Sequence, residues 1–387
     1  MRRDKNIEAF FALLRAGLWE VSNDNLNHNA DSFKAVDWPK VFLLAQEQSV
    51  QGLVLQGLEW FMEQGVINKA QVPQNLLLQW IGEVQMIEQQ NKAMNDFVAQ
   101  LIERLRKEQV YVILVKGQGI AQCYEKPLWR AAGDVDLLVS GGEFDKAQEY
   151  LLSIGERTEE DKEYKKHSEI QVGTWDVELH GTMRGEVKKS IDRVIDEAQR
   201  DVFYNGKVRS WQNGNTTVFL PAPDDDVIIV FTHILQHFFR EGVGVRQICD
   251  WCRLMWTYKH SLNHGLLESR IRKAGIMSEW KAFAALAVDW LGMPVKAMPL
   301  FNENDNLNAN LKRKAEWIID YVLEVGNFGH NRDLEYKRTS SFVRRLMISF
   351  GRRVHDFRRQ VMVFPLDTVI AFWGVVKTGF WVIGKKL

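Results

Sequence analysis

The sequence predicts an α+β fold in which a small mixed-sheet core lies between two helical regions. Residues 1–108 and 223–335 carry apolar side chains at helical spacing, which indicates helices on both sides. Residues 109–222 instead contain short β-branched or alternating runs bounded by glycine, which indicates strands. With 387 residues, 46% of them hydrophobic, the chain can build one large or two to three ordinary domains.

The first region is predicted to be helical throughout. Apolar residues recur at helical spacing from Trp38 to Met62, and Gln74 to Lys107 is a long run of good helix formers. The apolar stretch from Ile7 to Trp19 is interrupted by charged residues, and no small-residue cleavage site follows it. It is therefore predicted to be an amphipathic helix rather than a signal peptide.

The core region alternates strands with helices. Its predicted elements are a strand over 110–115, a short helix to 124, strands over 134–139, 169–172 and 175–179, helices over 143–153 and 190–202, and a last strand over 216–220. From Pro223 the pattern is helical again, and three aspartates enrich the first turn, as the helix dipole favours.

Carboxylates are concentrated on two of these strands. Asp134 and Asp136 are two positions apart, so both side chains leave the same face of one strand. Asp176, Glu178 and His180 share the polar face of a later strand. Two-metal phosphoryl transfer requires a third carboxylate from a neighbouring strand, and Glu178 is the first choice, with Asp176 in reserve. His180 is either a nucleotide contact or a satisfied strand-end histidine.

A glycine turn follows the first strand at Lys116, Gly117 and Gln118. Backbone N–H groups at such a turn can hold phosphate oxygens, although glycines also simply make turns. Lys116 either pairs with a polyphosphate or is solvated. Arg130, four residues before the first aspartate, either clamps phosphate with both arms of its guanidinium or lies on the surface.

Taken together, these residues form an ordered pattern across the core. The pattern consists of Lys116-Gly117, Tyr124, Pro127, Arg130, residues 134–139 and Glu178-Leu179-His180, and it continues in His233, His237, Gly244, Arg246 and Asp250. It resembles the bacterial family of uncharacterised nucleotidyltransferases within the polymerase-β-like superfamily, over roughly residues 105 to 255. More distantly it is similar to antibiotic nucleotidyltransferases and to nucleotidyltransferase toxins paired with antitoxins.

The resemblance implies an NTP substrate, two Mg²⁺ ions and transfer of a nucleotidyl group to a hydroxyl or similar acceptor. Asp134 and Asp136 would bind both metals, and Glu178 would help to bind the catalytic one. The residues expected to bind the nucleotide are Lys116, Gly117, Gln118, Arg130, His180 and Arg246.

Two points stay open after the resemblance. The superfamily usually has Gly-Gly or Gly-Ser where this chain has Lys116-Gly117, which leaves the placement of the triphosphate open. The acceptor is unidentified and could be a small molecule, a protein or RNA. The alternative function is a catalytically silent nucleotidyltransferase fold that acts as a binding module or toxin–antitoxin-type partner.

The predicted helices after the core carry two pairs of residues whose types can bind a second metal ion. Cys249 and Cys252 form a C-x-x-C pair, and His233 and His237 lie four apart, which together could bind zinc. Both pairs fall inside predicted helices without the tight turn that structural zinc sites use. Core cysteines and a pair of histidines on one helix face are therefore preferred.

The C-terminal segment 336–387 is basic and aromatic. Eight Lys and Arg residues lie between Lys337 and Arg359, interleaved with apolar side chains. Such a helix attaches peripherally to an anionic membrane, holds RNA, or pairs its arginines with acidic loops elsewhere in the fold. The apolar stretch 368–384 is a little short for a membrane span and contains Lys377.

Global charge and cysteine content restrict the function only weakly. Lys plus Arg and Asp plus Glu both total 50, so net charge does not indicate nucleic-acid binding. Three cysteines do not form a disulfide framework, and a reducing cytoplasm is the default location, with or without peripheral contact with a membrane.

Overall fold

The computed structural model describes residues 4–19, 33–158, 166–327 and 342–374. It confirms the α+β class, with helical regions on both sides of a mixed sheet. The helices before the sheet are α1 (Lys5–Leu18), α2 (Trp38–Glu47), α3 (Gln51–Glu63) and α4 (Gln74–Lys107). Those between and beside the strands are α5 (Gly117–Ala121), α6 (Phe144–Ile154) and α7 (Lys189–Tyr204). Those after the strands are α8 (Pro223–Arg240), α9 (Val245–Thr257), α10 (His264–Ala274), α11 (Met277–Asp289), α12 (Glu303–Leu307), α13 (Ala309–Val325) and α14 (Phe342–Val361).

The central sheet has five strands within the described residues. They are β1 (Ile113–Val115), β2 (Asp134–Leu138), β3 (Glu156–Arg157), β4 (His167–Val172) and β5 (Trp175–His180). Their order is β1-β2-β5-β4-β3, and only the β2–β5 pair is parallel. This pairing places Asp134 opposite Asp176 and Asp136 opposite Glu178. Carboxylates from two distant parts of the chain therefore become neighbours.

The two faces of this sheet differ because successive side chains of a strand point to opposite sides. On one face, Val135, Leu137, Val177 and Leu179 are buried against α4 and α6. The intervening positions of β2 and β5 carry the acidic and histidine side chains. One face is thus fixed by the hydrophobic core, which leaves the other free to form a polar site.

A two-stranded hairpin lies beside β1. It consists of β6 (Val208–Asn213), which was not predicted, and β7 (Thr216–Pro221), which was. β6 has no fully buried residue, so it lacks the apolar alternation by which strands are recognised. The two-residue connection Gly214-Asn215, with Gly214 at φ +58°, is nevertheless typical of a tight hairpin.

The helices before and after the sheet share one hydrophobic core. Buried side chains of α1 and α3 form a continuous cluster with those of α8, α9, α11 and α13. Phe11 of α1, for example, packs edge-on against Trp290, which follows α11. The two helical regions, which the predicted boundaries at 108 and 223 separate in sequence, therefore pack together around one hydrophobic core. The sheet packs on a second cluster with α4 and α6.

Part of the predicted C-terminal tail belongs to this fold. Val363 and Phe364 are buried in the shared core, and Gln360 of α14 donates a hydrogen bond to the Tyr321 hydroxyl at 3.0 Å. Arg359 pairs with Glu324 of α13 at 2.6 Å, as expected if the arginines bind acids elsewhere in the fold. A helical stretch over 365–374 follows. The basic residues 337 and 338 and the stretch 375–387 lie outside the described residues.

A carboxyl pair, the buried Glu279 and the half-buried Asp367, joins this C-terminal part to α11. Burial, and then the hydrogen bond with Asp367, raise the pKa of Glu279 from its ordinary 4.5 to about 8. Lys188 donates a hydrogen bond to Asp367 at 3.0 Å, and Lys314 lies nearby. At neutral pH the folded chain therefore keeps a proton on Glu279 that the unfolded chain releases.

We expect this pair to weaken the fold as the pH rises. Because the folded pKa lies above the unfolded one, the stabilisation is complete below pH 4.5 and is lost as the pH rises through about 8. Glu279→Gln keeps a hydrogen-bond donor but cannot ionise, so its urea midpoint should fall less between pH 5 and pH 9 than that of the wild type. Equal pH dependence in both proteins would contradict this prediction.

Candidate active site

A cavity of about 650 Å³ opens between the polar face of the sheet and helices α8 and α9. Its carboxylate side is formed by β2, β4 and β5. Basic residues lie on its other walls, and in the described part of the chain they are Lys116, Arg130, Arg184, Arg240 and Arg246. The cavity therefore joins groups that attract cations to groups that attract anions, as a site for a metal-bound polyphosphate requires.

The three predicted carboxylates converge on this cavity. Asp134, Asp136 and Glu178 each offer a carboxylate oxygen, and these oxygens all lie within 4.8 Å of one another. Asp136 is buried, whereas Asp134 and Glu178 are half-buried. Asp176, held in reserve, is exposed and is not part of this cluster. The third carboxylate is therefore Glu178, brought in by the parallel pairing of β2 with β5.

Burial and the neighbouring charges shift the pKa values of the carboxyls in this cluster. Burial, reinforced by Asp136 and Glu178, raises the pKa of Asp134 to about 6. Burial acts in the same direction on Glu178, but the neighbouring His167 and His180 outweigh it and hold its pKa below the usual range. A divalent cation would relieve the repulsion among these groups, because an opposite charge favours the ionised form of a carboxyl.

Lys116 supplies the nearest positive charge. Its Nζ lies 2.6 Å from Asp136 Oδ1 and 3.1 Å from His233 Nε2. Burial lowers its pKa, but the three carboxylates outweigh burial and raise it, so the ammonium stays charged. The residue adopts φ +56°, a strained conformation for a non-glycine residue that costs of order 1–3 kcal/mol. The turn that aims Lys116 at the carboxylates is thus held by the surrounding fold.

The two histidines of α8 line the cavity. Burial, together with the charge of Lys116, holds the pKa of His233 well below its ordinary value, so its ring is neutral and accepts from that ammonium. His237 Nε2 lies 3.1 Å from His233 Nε2. Cys249 and Cys252 are buried in the helical core, and burial raises the pKa of both thiols. Core packing accounts for the cysteines.

His180 is also part of the polar network. Its Nε2 lies 3.0 Å from Asp136 Oδ1 and 3.3 Å from Glu178 Oε2. The residue is buried at the end of β5 and lines the cavity. His180 is therefore a hydrogen-bonded histidine at the end of a strand, and its contact with a nucleotide stays a prediction.

The side chain of Gln118 lies outside the cavity. It is buried and donates to Asn91 Oδ1 of α4 at 3.0 Å. Asn91 in turn donates to the carbonyls of Leu128 and Arg130, both at 2.8 Å. The side chain of Gln118 therefore supports the loop before β2, and a phosphate contact of the backbone N–H groups in this turn stays a prediction. Gly117 does line the cavity, at φ +39°.

Arg130 is bound by a carboxylate. Its Nε and Nη2 donate to the two oxygens of Asp250 at 3.0 and 2.5 Å, and the Tyr124 hydroxyl donates to the same carboxylate at 2.7 Å. All three residues are buried. Tyr124, Arg130 and Asp250, three residues of the sequence pattern described above, therefore belong to one hydrogen-bonded network. It also occupies the face of Arg130 that was expected to bind phosphate, although the side chain borders the cavity.

Arg246 lies on the cavity wall that α9 forms. Its Nη1 donates to the carbonyl of Ala131 at 2.6 Å, while its Nε is buried without a hydrogen-bond partner. Asp250, four residues further along the same helix, pairs with Arg130. The helices after Pro223 thus bring both His237 and Arg246 to the cavity.

Sequence reasoning missed several residues of the lining. His167 and Glu169 of β4 and Arg184 and Arg240 all border the cavity. The two β4 residues alternate with the buried Ser168 and Ile170. The strand was predicted to begin at residue 169, whereas β4 begins at His167, so the prediction left His167 out.

One of the comparisons with known proteins shows the family. The family model described as "Uncharacterised nucleotidyltransferase" matches residues 34–292. No curated protein matches the chain. Among solved structures, the chain is similar to an antigenic nucleotidyltransferase-like protein from Paracoccidioides brasiliensis, with 14% sequence identity. The match covers 48% of this chain and 90% of the other. Its TM-score of 0.29 is too low to bear on the site. Because the family model spans more than half of its residues, the chain belongs to the uncharacterised nucleotidyltransferase family.

Proposed function

We propose that the protein is a metal-dependent nucleotidyltransferase that transfers a nucleotidyl group from an NTP to an acceptor hydroxyl. One observation carries the proposal. In a member of a nucleotidyltransferase family, Asp134, Asp136 and Glu178 converge within 4.8 Å at a cavity that also contains arginines. A catalytically silent module has no need to keep three carboxylates in such repulsive proximity.

The carboxylates fit Mg²⁺ by their chemistry. Mg²⁺ prefers oxygen ligands and is usually bound through one or two carboxylates together with substrate phosphates. Bound there as a pair, the ions would activate the attacking oxygen and neutralise charge on the phosphates. Burial and the neighbouring Asp136 and Glu178 raise the pKa of Asp134, and a divalent cation bound there would favour its ionised form.

The protein's own residues would bind and orient the triphosphate. Arg246 and Arg240 line the cavity, and the N–H groups of Arg246 are able to donate to phosphate oxygens. The Lys116 ammonium lies against Asp136 and so provides a fixed positive charge at the edge of the cluster. Burial of this charge strengthens its attraction for phosphate relative to a solvated lysine.

A screen of the four NTPs with Mg²⁺ tests this function. Pyrophosphate release would be followed with small-molecule, protein and RNA acceptors, and the mass of each acceptor would be measured. The expected result is pyrophosphate release with one NTP, together with an acceptor heavier by one nucleotidyl group. Absence of both pyrophosphate release and Mg²⁺-dependent NTP binding would favour the binding-module alternative.

The Arg246→Ala variant should bind NTP more weakly. Loss of a hydrogen-bonding charge on phosphate costs roughly 1.5–3 kcal/mol, so KM for the NTP should rise on the order of ten- to a hundredfold. Arg313→Ala, which removes an exposed arginine of α13 outside the cavity, is the control. An unchanged KM in the Arg246 variant would place the triphosphate elsewhere.

We also propose that the C-terminal helices attach peripherally to anionic membranes. Within the described residues no helix is both long and apolar enough to cross a bilayer. Large apolar side chains are nevertheless strongly exposed here, with Phe350 at 63%, Leu366 at 78% and Trp373 at 64%. Arg344 and Arg358 are exposed on α14 beside them. Basic and apolar groups together are typical of interfacial helices.

Co-sedimentation of the full-length protein with anionic vesicles tests this attachment. Replacing Phe350 and Trp373 by serine should weaken binding about tenfold or more, because a buried apolar side chain contributes roughly 1.5–3 kcal/mol. Leu78→Ser, which removes an equally exposed side chain of α4, is the matched control. A wild-type protein that stays in the supernatant at low salt would refute the proposal.

A further inference from the structure

We propose that His167, Glu178 and His180 form a binding site for a first-row divalent transition-metal ion, such as Zn²⁺, Mn²⁺ or Co²⁺. One ligand atom from each residue lies within 4.8 Å of the other two. The residues sit on neighbouring antiparallel strands, where His167 of β4 is directly opposite His180 of β5. The site rests on its own ligand geometry and stands whether or not the chain transfers nucleotides.

Distances between the ligand atoms agree with ligands arranged around an ion. The Nε2 atoms of His180 and His167 lie 3.3 and 3.7 Å from Glu178 Oε2. Ligands about 2.0–2.1 Å from a tetrahedral ion are about 3.4 Å from each other, close to both distances. The longer distance exceeds that of a hydrogen bond, and it remains within the range expected of two ligands of one ion.

The ligand atoms of this site favour a different metal ion from the Mg²⁺ proposed for the carboxylate cluster. Imidazole nitrogen suits Zn²⁺ and other first-row transition metals, whereas Mg²⁺ prefers oxygen throughout. Two imidazoles and one carboxylate therefore favour a transition metal over Mg²⁺. Asp134, Asp136 and Glu178 offer oxygen alone, so the two sets share Glu178 but differ in preference.

The site is open to the cavity. The side chains of His167 and Glu178 are 30% and 27% exposed, and both residues line the cavity. Three protein ligands leave a coordination position for water or for another ligand, as in catalytic zinc sites. When Nε2 of His180 binds the ion, its lone pair faces the metal, so the hydrogen bond to Asp136 is given up and Nδ1 carries the ring proton.

Cobalt binding to the untagged full-length protein tests the site, because Co²⁺ bound by histidine absorbs visible light. In the presence of excess Mg²⁺ we expect one Co²⁺ per chain, displaced by Zn²⁺. His167→Ala should weaken Co²⁺ binding at least about tenfold, since even residues that only support a ligand change affinity by about 10–100-fold. His167 is partly exposed at the start of its strand, and His167→Gln provides a second variant of similar size.

Two further variants separate this site from other sources of cobalt binding. His264→Ala removes an exposed histidine of α10 outside the cavity and should leave the absorption unchanged. Asp134→Asn alters the carboxylate cluster alone and should retain the absorption. The proposal is overturned if no Co²⁺ binds in excess Mg²⁺, if both His167 variants bind as tightly as the wild type, or if Asp134→Asn weakens binding as much as they do. Cobalt binding without either pyrophosphate release or Mg²⁺-dependent NTP binding would uphold this site and contradict the proposed function.

Discussion

Asp136→Asn is expected to reduce nucleotidyl transfer on the order of a thousandfold. The substitution keeps the shape of a buried side chain but removes the charge at the centre of the carboxylate cluster. Metal ions contribute several kcal/mol of transition-state stabilisation, and each 1.4 kcal/mol is a factor of ten in rate. The initial rate of pyrophosphate release at saturating NTP and Mg²⁺ measures the loss.

Asp176→Asn is the matched control for this variant. Asp176 lies on β5, opposite Asp134 in register, but its side chain is exposed and outside the cluster. Its rate should stay within about twofold of the wild type. Thermal unfolding of both variants checks that the fold is kept, because Asp136 also pairs with Lys116. Equal losses in the two variants, or wild-type NTP affinity in Asp136→Asn, would contradict the assigned metal ligands.

Arg130→Ala is expected to destabilise the protein by about 3–5 kcal/mol, the usual cost of removing one partner from a buried ion pair. Asp250 would remain buried and would keep the hydrogen bond from the Tyr124 hydroxyl. Arg130→Lys keeps the charge but not the two-armed geometry, so its loss should be smaller. Urea unfolding measures the free energy of unfolding in each variant.

An exposed ion pair provides the control for Arg130. Arg272 pairs with Glu268 one helical turn away at 2.7 Å, and its side chain is 67% exposed. Arg272→Ala should therefore cost no more than about 0.5 kcal/mol. If Arg130→Ala unfolds at the same urea concentration as the wild type, the Arg130–Asp250 pair does not hold the loop before β2 in place.

The strands that carry the site could be predicted because their alternation is strong. In β2 and β5 the acidic residues alternate with buried Val and Leu, so both the element and its polar face follow from the period of two. The pairing of Asp136 with Glu178 did not follow in the same way. It depends on β2 and β5 being parallel neighbours, which is a property of the whole sheet.

Two side-chain contacts beside the site could not be predicted, because the local sequence carries little information about them. Helix α5 has five residues, too few for its periodicity to show that Gln118 faces α4. Arg130 and Asp250 are 120 positions apart, and their pairing depends on how α9 packs beside the core. Helix geometry alone offers Arg246 as a partner, four residues before Asp250 on the same helix, and only the packing of α9 decides between the two arginines.

The central claim is that the carboxylate cluster binds an NTP through metal ions. A crystal structure of the protein with Mg²⁺ and a non-hydrolysable NTP analogue tests it most directly. The account predicts metal density among Asp134, Asp136 and Glu178, with the triphosphate extending toward Arg246. A triphosphate bound elsewhere, or a cavity that stays without nucleotide at saturating analogue and Mg²⁺, would contradict it.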